Sequence, residues 1–175
     1  GGYNRLIDAL LEGTETILQL DFFSRRDELC SLADKIVFTG RIDKYFDYRA
    51  GRLEYRSLRF DTKVIDTPNF QGNAVVNYTS ADVPYTRIIE HKHFEYGTQP
   101  KTVITYEYPA TWSEGLEPYY PVNNERNNAI AAEYRQMARS MGNVIFGGRL
   151  GQYAYFDMDD TVDEALKLAE KEMGN

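Results

Sequence analysis

Between Leu53 and Tyr108 the side chains follow a period of two, and after Pro121 the period becomes that of a helix. This single change restricts the fold more than any other feature. Leu53 to Ile65 alternates over one long strand. Ala74–Tyr78, Tyr85–Phe94 and Thr102–Tyr108 follow as further strands, separated by turn-rich stretches such as Asp66-Thr67-Pro68-Asn69. Consecutive strands with short connections pair antiparallel. Beyond Pro121, Ile130, Tyr134, Met137 and Met141 fall on one face of a helix that Gly142 ends. Val144-Ile145-Phe146 is a short buried-strand run leading into Gly147-Gly148, and Thr161-x-x-Glu164 opens a last helix that buries Val162, Ala165, Leu166, Ala169 and Met173. Upstream of the strand block, Asn4 caps a helix through Leu11. Thr16–Leu20 reads as a strand, Phe22 to Asp34 as a loop or helical turn, Lys35–Thr39 as a strand ending at Gly40, and Ile42, Tyr45 and Phe46 as one short helical face. The fold class is α+β: a mainly antiparallel sheet with flanking helices and a C-terminal strand, Gly-rich turn and helix. Residues 1–175 form one unit, without repeat or linker.

Charge narrows the function. Twenty Lys and Arg against 27 Asp and Glu leave a net −7, so the footprint of a nucleic-acid or anionic-membrane binder is absent. A phosphate-bearing ligand must then be held by a few placed arginines. The single cysteine, Cys30, and two histidines, His91 and His93, supply neither a disulfide framework nor a cysteine-rich zinc site. No apolar run reaches the ~20 residues that span a bilayer. The 14 tyrosines suit a cleft that is apolar and hydrogen-bonding at once. Residue 1 is Gly rather than Met, which suggests a processed chain or a piece of a longer one.

Four segments carry chemistry, and each also has a plain structural reading. In Tyr85–His93, Arg87 shares a strand face with Ile89, His91 and His93; it either clamps a phosphate or joins cross-strand ion pairs. In Pro118-Tyr119-Tyr120-Pro121 the extended backbone splays the two rings to opposite sides, so that one packs while the other meets a ligand or both fill a rigid turn. Val144–Gly151, followed by Tyr153, Tyr155, Asp157 and Met158, brings backbone amides and a helix N-terminus toward a ligand, or is turn chemistry alone. Ala33–Gly40 is a strand closed by Thr-Gly, of a kind found where flavin dinucleotides bind. No G-x-G-x-x-G, P-loop, G-x-S-x-G or H-E-x-x-H is present, so these residues do not encode a self-contained dinucleotide site.

The order of the segments is more specific than any one of them. Gly-Gly-Tyr before the first helix, "DKIVFTG", "FDYRAGRLEYRSLRF", "NFQGNAVVNYT", "VPYTRIIEHKHF", "PYYPV" and "FGGRLGQYAYFDMD" together resemble the C-terminal part of the UDP-galactopyranose mutase family, from Gly1 to about Met173. The resemblance implies an isomerase that interconverts UDP-galactopyranose and UDP-galactofuranose, for cell-surface polysaccharide, through a covalent adduct between N5 of reduced FAD and the sugar. It implies a cytoplasmic, homo-oligomeric parent enzyme with FAD as cofactor and UDP-galactose as partner. Carried onto matching positions, it makes Arg87 the catalytic, diphosphate-holding arginine, with Tyr120 and Tyr155 as substrate-binding tyrosines. Gly148, Arg149, Asp157 and Met158 fall on its FAD contacts, and Glu90, His91 and Tyr119 on supporting positions. Tyr45, Tyr48, Tyr55, Tyr106 and Tyr134 are left to packing. The family's glycine fingerprint, mobile lid and uridine-stacking aromatics precede the matched region. The C-terminal strand–turn–helix is thus expected to complete a FAD-binding domain in a longer parent, and the chain alone to be inactive. The alternative is a stand-alone, non-catalytic binding module for a nucleotide sugar or glycan. A flavin oxidoreductase of the amine-oxidase type is a third reading, without reason to pair Pro-Tyr-Thr-Arg with Pro-Tyr-Tyr-Pro.

Overall fold

A computed structural model describes residues 2–174. The chain runs α1 (Gly2–Leu10), α2 (Arg26–Ser31), β1 (Ile36–Phe38), α3 (Ile42–Tyr45), β2 (Tyr55–Ile65), β3 (Val75–Asn77), β4 (Arg87–Glu90), β5 (Thr102–Thr111), β6 (Tyr120–Pro121), α4 (Glu125–Arg139), β7 (Val144–Phe146), α5 (Gly148–Gln152) and α6 (Met158–Met173). Single 3-10 turns at Phe22–Arg25 and His91–Glu95 interrupt the series. Five strands form one antiparallel sheet in the order β3-β4-β5-β2-β6, and β1 and β7 form a separate parallel pair. The fold class is therefore α+β with a mainly antiparallel sheet, as the change of period predicts.

The core lies where the sheet meets the helices. Phe38, Ile42, Tyr45, Phe46, Leu53, Tyr55, Ala131, Tyr134, Val144 and Tyr153 pack as one buried cluster. Tyr45 meets Phe38 and Phe146 with ring centroids 4.9 Å from each, the tilted and edge-on geometry that aromatic quadrupoles favour. Buried polar groups are paired here. The Asp43 carboxylate accepts from the amides of Lys44 and Leu53, and the Tyr134 hydroxyl donates to the Gly51 carbonyl at 2.7 Å. Tyr45, Tyr55 and Tyr134 are thus packing residues, whereas Tyr106 is only half-buried.

Five local expectations are corrected. Thr16–Leu20 is not a strand: no neighbouring strand takes its backbone groups, and Ile17 and Leu18 are exposed. The helix at the start begins at Gly2, ahead of Asn4, so Asn4 is not its cap. The strand read over Tyr85–Phe94 ends at Glu90, and the chain coils into a 3-10 turn closed by Tyr96 at φ 52°. His91 and His93 therefore leave the strand face of Arg87. His91 Nε2 bonds Thr105 Oγ1 at 2.7 Å, while His93 turns back to Glu90 at 3.0 Å. Fourth, α6 opens one turn before Thr161, where the Asp160 carboxylate accepts from the amide of its cap residue Asp157.

The fifth correction concerns what α6 buries. Val162, Ala165, Leu166, Ala169 and Met173 are exposed, and the helix turns Glu164, Leu168 and Glu172 inward instead. Among the described residues nothing covers that apolar stripe. It faces a groove of about 770 Å³ whose other wall is the apolar side of α1, Tyr3, Leu6, Ile7 and Leu10.

Candidate functional site

The turn that follows β7 brings most of the site residues together. The Gly147 amide donates to the Phe38 carbonyl at 3.1 Å, continuing the parallel pair by one residue. Gly148 then takes φ +69°, a conformation that a side chain rarely adopts. Gly151 lies so close to β1 that a Cβ would stand 2.8 Å from the Phe38 carbonyl oxygen. α5 can pack there only as glycine. Tyr153, at φ 49° and fully buried, locks the far end: its hydroxyl donates to the Glu54 carbonyl at 2.6 Å and accepts from the Val122 amide at 3.1 Å. Burial pushes its phenol up to about 12, so it stays protonated as a fixed strut.

Arg149 projects from this short helix. Its guanidinium donates to the Phe156 carbonyl and, at 3.3 Å, to the Tyr119 carbonyl. It lies 4.7 Å from the Tyr155 ring and 5.5 Å from the Tyr120 ring, and these two rings are stacked at 5.7 Å and 25°. The Tyr155 hydroxyl donates to Asp157 Oδ1 at 3.1 Å, and this bond to a carboxylate holds the phenol above its usual range. Arg149, Tyr120, Tyr155 and Asp157 thus form one half-exposed cluster of a cation beside two stacked phenols. Gly148 and Met158 flank it at the starts of α5 and α6. Contrary to the splayed pair expected from Pro118-Tyr119-Tyr120-Pro121, the Tyr119 and Tyr120 rings remain neighbours, with centroids 6.3 Å apart. The Arg149 bond to the carbonyl between them holds both toward α5.

Arg87 stands apart from this cluster but on the same side of the sheet. The register aligns Asn77, Arg87, Glu107 and Phe60 in one row, and Tyr120 opposite Arg56. Arg56 and Phe60 are four residues apart on β2 and share a face, so Arg87 and Tyr120 rise from that face too. No hydrogen bond among the described residues joins them. Arg87 Nε lies 3.2 Å from Oε1 of the nearly buried Glu107, whose carboxylate also accepts from Thr86 Oγ1. Glu107 therefore holds the base of the arginine, and the terminal nitrogens have no protein acceptor among the described residues. Arg56, exposed, is the residue that β2 sets opposite Tyr120 in the register.

Two of these residues, Glu107 and Arg56, escape a reading by local sequence. Both lie at ordinary polar positions of alternating strands, and only the cross-strand register joins them to Arg87 and Tyr120. Glu90 supports the neighbouring edge. Burial alone raises a carboxyl, but the amides of Gln71 and Phe70, with His93 beside them, reverse that and hold Glu90 at about 2.

The family model described as UDP-galactopyranose mutase matches residues 1–155. A probable UDP-galactopyranose mutase of Klebsiella pneumoniae is 39% identical over 173 residues, covering 97% of this chain and 44% of the relative. The dTDP-fucopyranose mutase of Escherichia coli is 38% identical over 136 residues, 77% of this chain and 36% of the relative. The UDP-galactopyranose mutase of Mycoplasma pneumoniae is 37% identical over 142 residues, 78% of this chain and 35% of the relative. The chain spans less than half the length of these curated relatives, and it belongs to the UDP-galactopyranose mutase family.

Proposed function

We propose that this chain forms one wall of the active site of a flavin-dependent mutase that converts UDP-galactopyranose to UDP-galactofuranose and back. The observation that carries the reading is the Arg149–Tyr120–Tyr155 cluster on the sheet side from which Arg87 rises. Arginine and phenol groups on a rigid sheet suit a diphosphate, because its charge grows as it leaves the sugar and preorganised donors then gain strength. Arg87 supplies the main charge, with its guanidinium oriented from below by Glu107. Tyr120 supplies a neutral hydroxyl donor, and Tyr155 would supply a second on turning its proton from Asp157 to the diphosphate.

FAD fits the other end of this wall. Gly148, at φ +69°, leaves the backbone after β7 open where a side chain would stand, with Thr39 the nearest neighbour. Arg149, Asp157 and Met158 would hold the cofactor at this turn and at the start of α6. When bound in its reduced form, the flavin would supply the nucleophile for the anomeric carbon, in a conversion with no net redox change. The chain's own residues bind the diphosphate, neutralise it as it departs and keep it beside the sugar for return.

The rest of the flavin domain belongs, on this reading, to a longer protein. Two features support that assignment: a parallel sheet of only two strands, below what is stable alone, and the uncovered apolar stripe of α6. Residues 1–175 then act as a C-terminal unit that neither retains FAD nor turns over by itself. Relatives named for UDP-galactopyranose and for dTDP-fucopyranose align with this same stretch, which fits a wall that addresses the diphosphate common to both. The test is a longer protein that contains this chain and the missing half. Arg87→Ala should abolish most turnover while leaving the flavin spectrum in place; unchanged kcat/KM would remove Arg87 from the reaction.

A further inference from the structure

Arg41 belongs to none of the roles above, yet it is a buried cation at the junction of the two halves of the wall. It follows directly on Thr39-Gly40, and Thr39 is the residue packed nearest Gly148. Its side chain is 9% exposed. The guanidinium lies 4.3 Å from the Trp112 ring, with Tyr55 and Tyr48 completing an aromatic cage at 5.5 and 5.7 Å. Within the cage it pairs with the buried Asp43 at 3.3 Å and donates to the Tyr48 hydroxyl at 3.2 Å, and at the rim it pairs at 3.3 Å with Glu114, which is 57% exposed and also meets Arg52.

Both Trp112 and Glu114 sit on the segment that links β5 to β6, and β6 carries Tyr120. The same segment is stitched at three further points. Trp112 Nε1 donates to the Leu116 carbonyl at 2.7 Å, Ser57 Oγ to the Glu117 carbonyl at 2.8 Å, and the Tyr119 amide to the Arg56 carbonyl at 3.0 Å. Arg149 holds the far end of the segment through the Tyr119 carbonyl. Arg41 therefore ties the start of the segment to the strand beside Gly148, while Arg149 ties its end to the helix that Gly148 begins.

We propose that Arg41 is a positioning residue: through Trp112 and Glu114 it sets the placement of Tyr120 relative to the Gly147–Arg149 turn. The role in catalysis rests on the reading that Tyr120 contacts the diphosphate; the anchoring itself does not. A buried cation loses its charge partners only at high cost, and a cation over an indole is worth more when desolvated. The network is accordingly stiff, and a ligand held between Tyr120 and the turn meets a preset gap.

Trp112 is the single tryptophan of the chain, so its fluorescence reports the anchor without reference to activity. In Glu114→Gln and Arg41→Lys the emission should shift to the red and acrylamide quenching should rise about two-fold or more. Arg41→Met serves as a third variant; if it fails to fold, Glu114→Gln, which leaves Arg41 its Asp43 partner, decides the matter. In the longer protein, Glu114→Gln should raise the Kd for UDP roughly ten-fold at unchanged flavin content, and KM should rise more than kcat falls. Unaltered Trp112 fluorescence in all three variants would overturn the anchoring. Trp112 released with the Kd for UDP unchanged would overturn the positioning role. A failure of the diphosphate reading would show separately, as an Arg87→Ala protein that binds UDP normally.

Discussion

The five-stranded sheet with its helical packing and the two helices α1 and α6 differ in how completely their apolar faces are covered. In the first, buried charges have partners: Asp43 holds Arg41 and two amides, and Glu90 holds two amides and His93. In the second, Leu166 is 60% exposed, Met158 62% and Leu10 64%, on faces whose spacing suits burial. The contrast separates a packed scaffold from two helices whose apolar faces lie open among the described residues. The Arg149, Tyr120, Tyr155 and Asp157 cluster lies where the two meet, and Arg87 stands apart on the sheet.

The sharpest way to break this contrast is to attack the packed side. Asp43→Ala removes the partner of a buried guanidinium and orphans two amides, and should cost about 3–5 kcal/mol in denaturant unfolding. A loss near 1 kcal/mol would mean that the cluster is no more self-sufficient than the two open helices. Next in size is Arg87→Ala in the longer enzyme, expected to lose about 2–4 kcal/mol of transition-state stabilisation, measured as kcat/KM.

Acid should also find the sheet side first. Glu90 is held below its unfolded value, so its contribution is complete above about pH 4.5 and is lost as pH falls toward about 2. Glu90→Gln should flatten the fall in stability across that window; a slope identical to the parent chain would show that Glu90 is not the group that senses acid. Tyr155→Phe is milder, about 0.5–1.5 kcal/mol in kcat/KM, because it deletes one hydrogen bond of an uncharged hydroxyl rather than a cation. A loss as large as that of Arg87→Ala would reverse the ranking of the two. The smallest effect belongs to the open side. Leu166→Asn should change the stability of this chain by no more than about 0.5 kcal/mol, since the side chain is already in water. A cost of 2 kcal/mol would mean that the stripe is covered after all.

The same contrast explains how much the sequence makes legible. Alternation over Leu53–Ile65 and Thr102–Tyr108, and the helical face of Ile130, Tyr134 and Met137, are periodic signals generated by burial against one surface, and the fold follows them. Where burial is incomplete the same reasoning misleads. The stripe of α6 has the spacing of a core helix but no covering partner among the described residues, and Thr16–Leu20 has strand-forming residues without a strand beside it. The end of β4 at Glu90 was hidden for another reason: the carboxylate is pinned by amides about twenty residues upstream, a contact that no local period encodes. At the candidate site, motif order points to Arg87, Tyr120, Arg149 and Tyr155, of which the structure brings the last three together and leaves Arg87 apart. It did not reveal Glu107, Arg56 or Arg41, whose meaning comes from strand register and from a cage assembled across 71 residues of chain, from Arg41 to Trp112.

If this chain is one wall of a flavin site, it needs a surface to cover the open apolar faces of α1 and α6. Titrating FAD with the purified 175-residue chain, and following flavin fluorescence together with interconversion of the two UDP-sugars under reducing conditions, tests that need directly. The account predicts no saturable flavin binding and no turnover. A stoichiometric flavin complex that interconverts the sugars would contradict it.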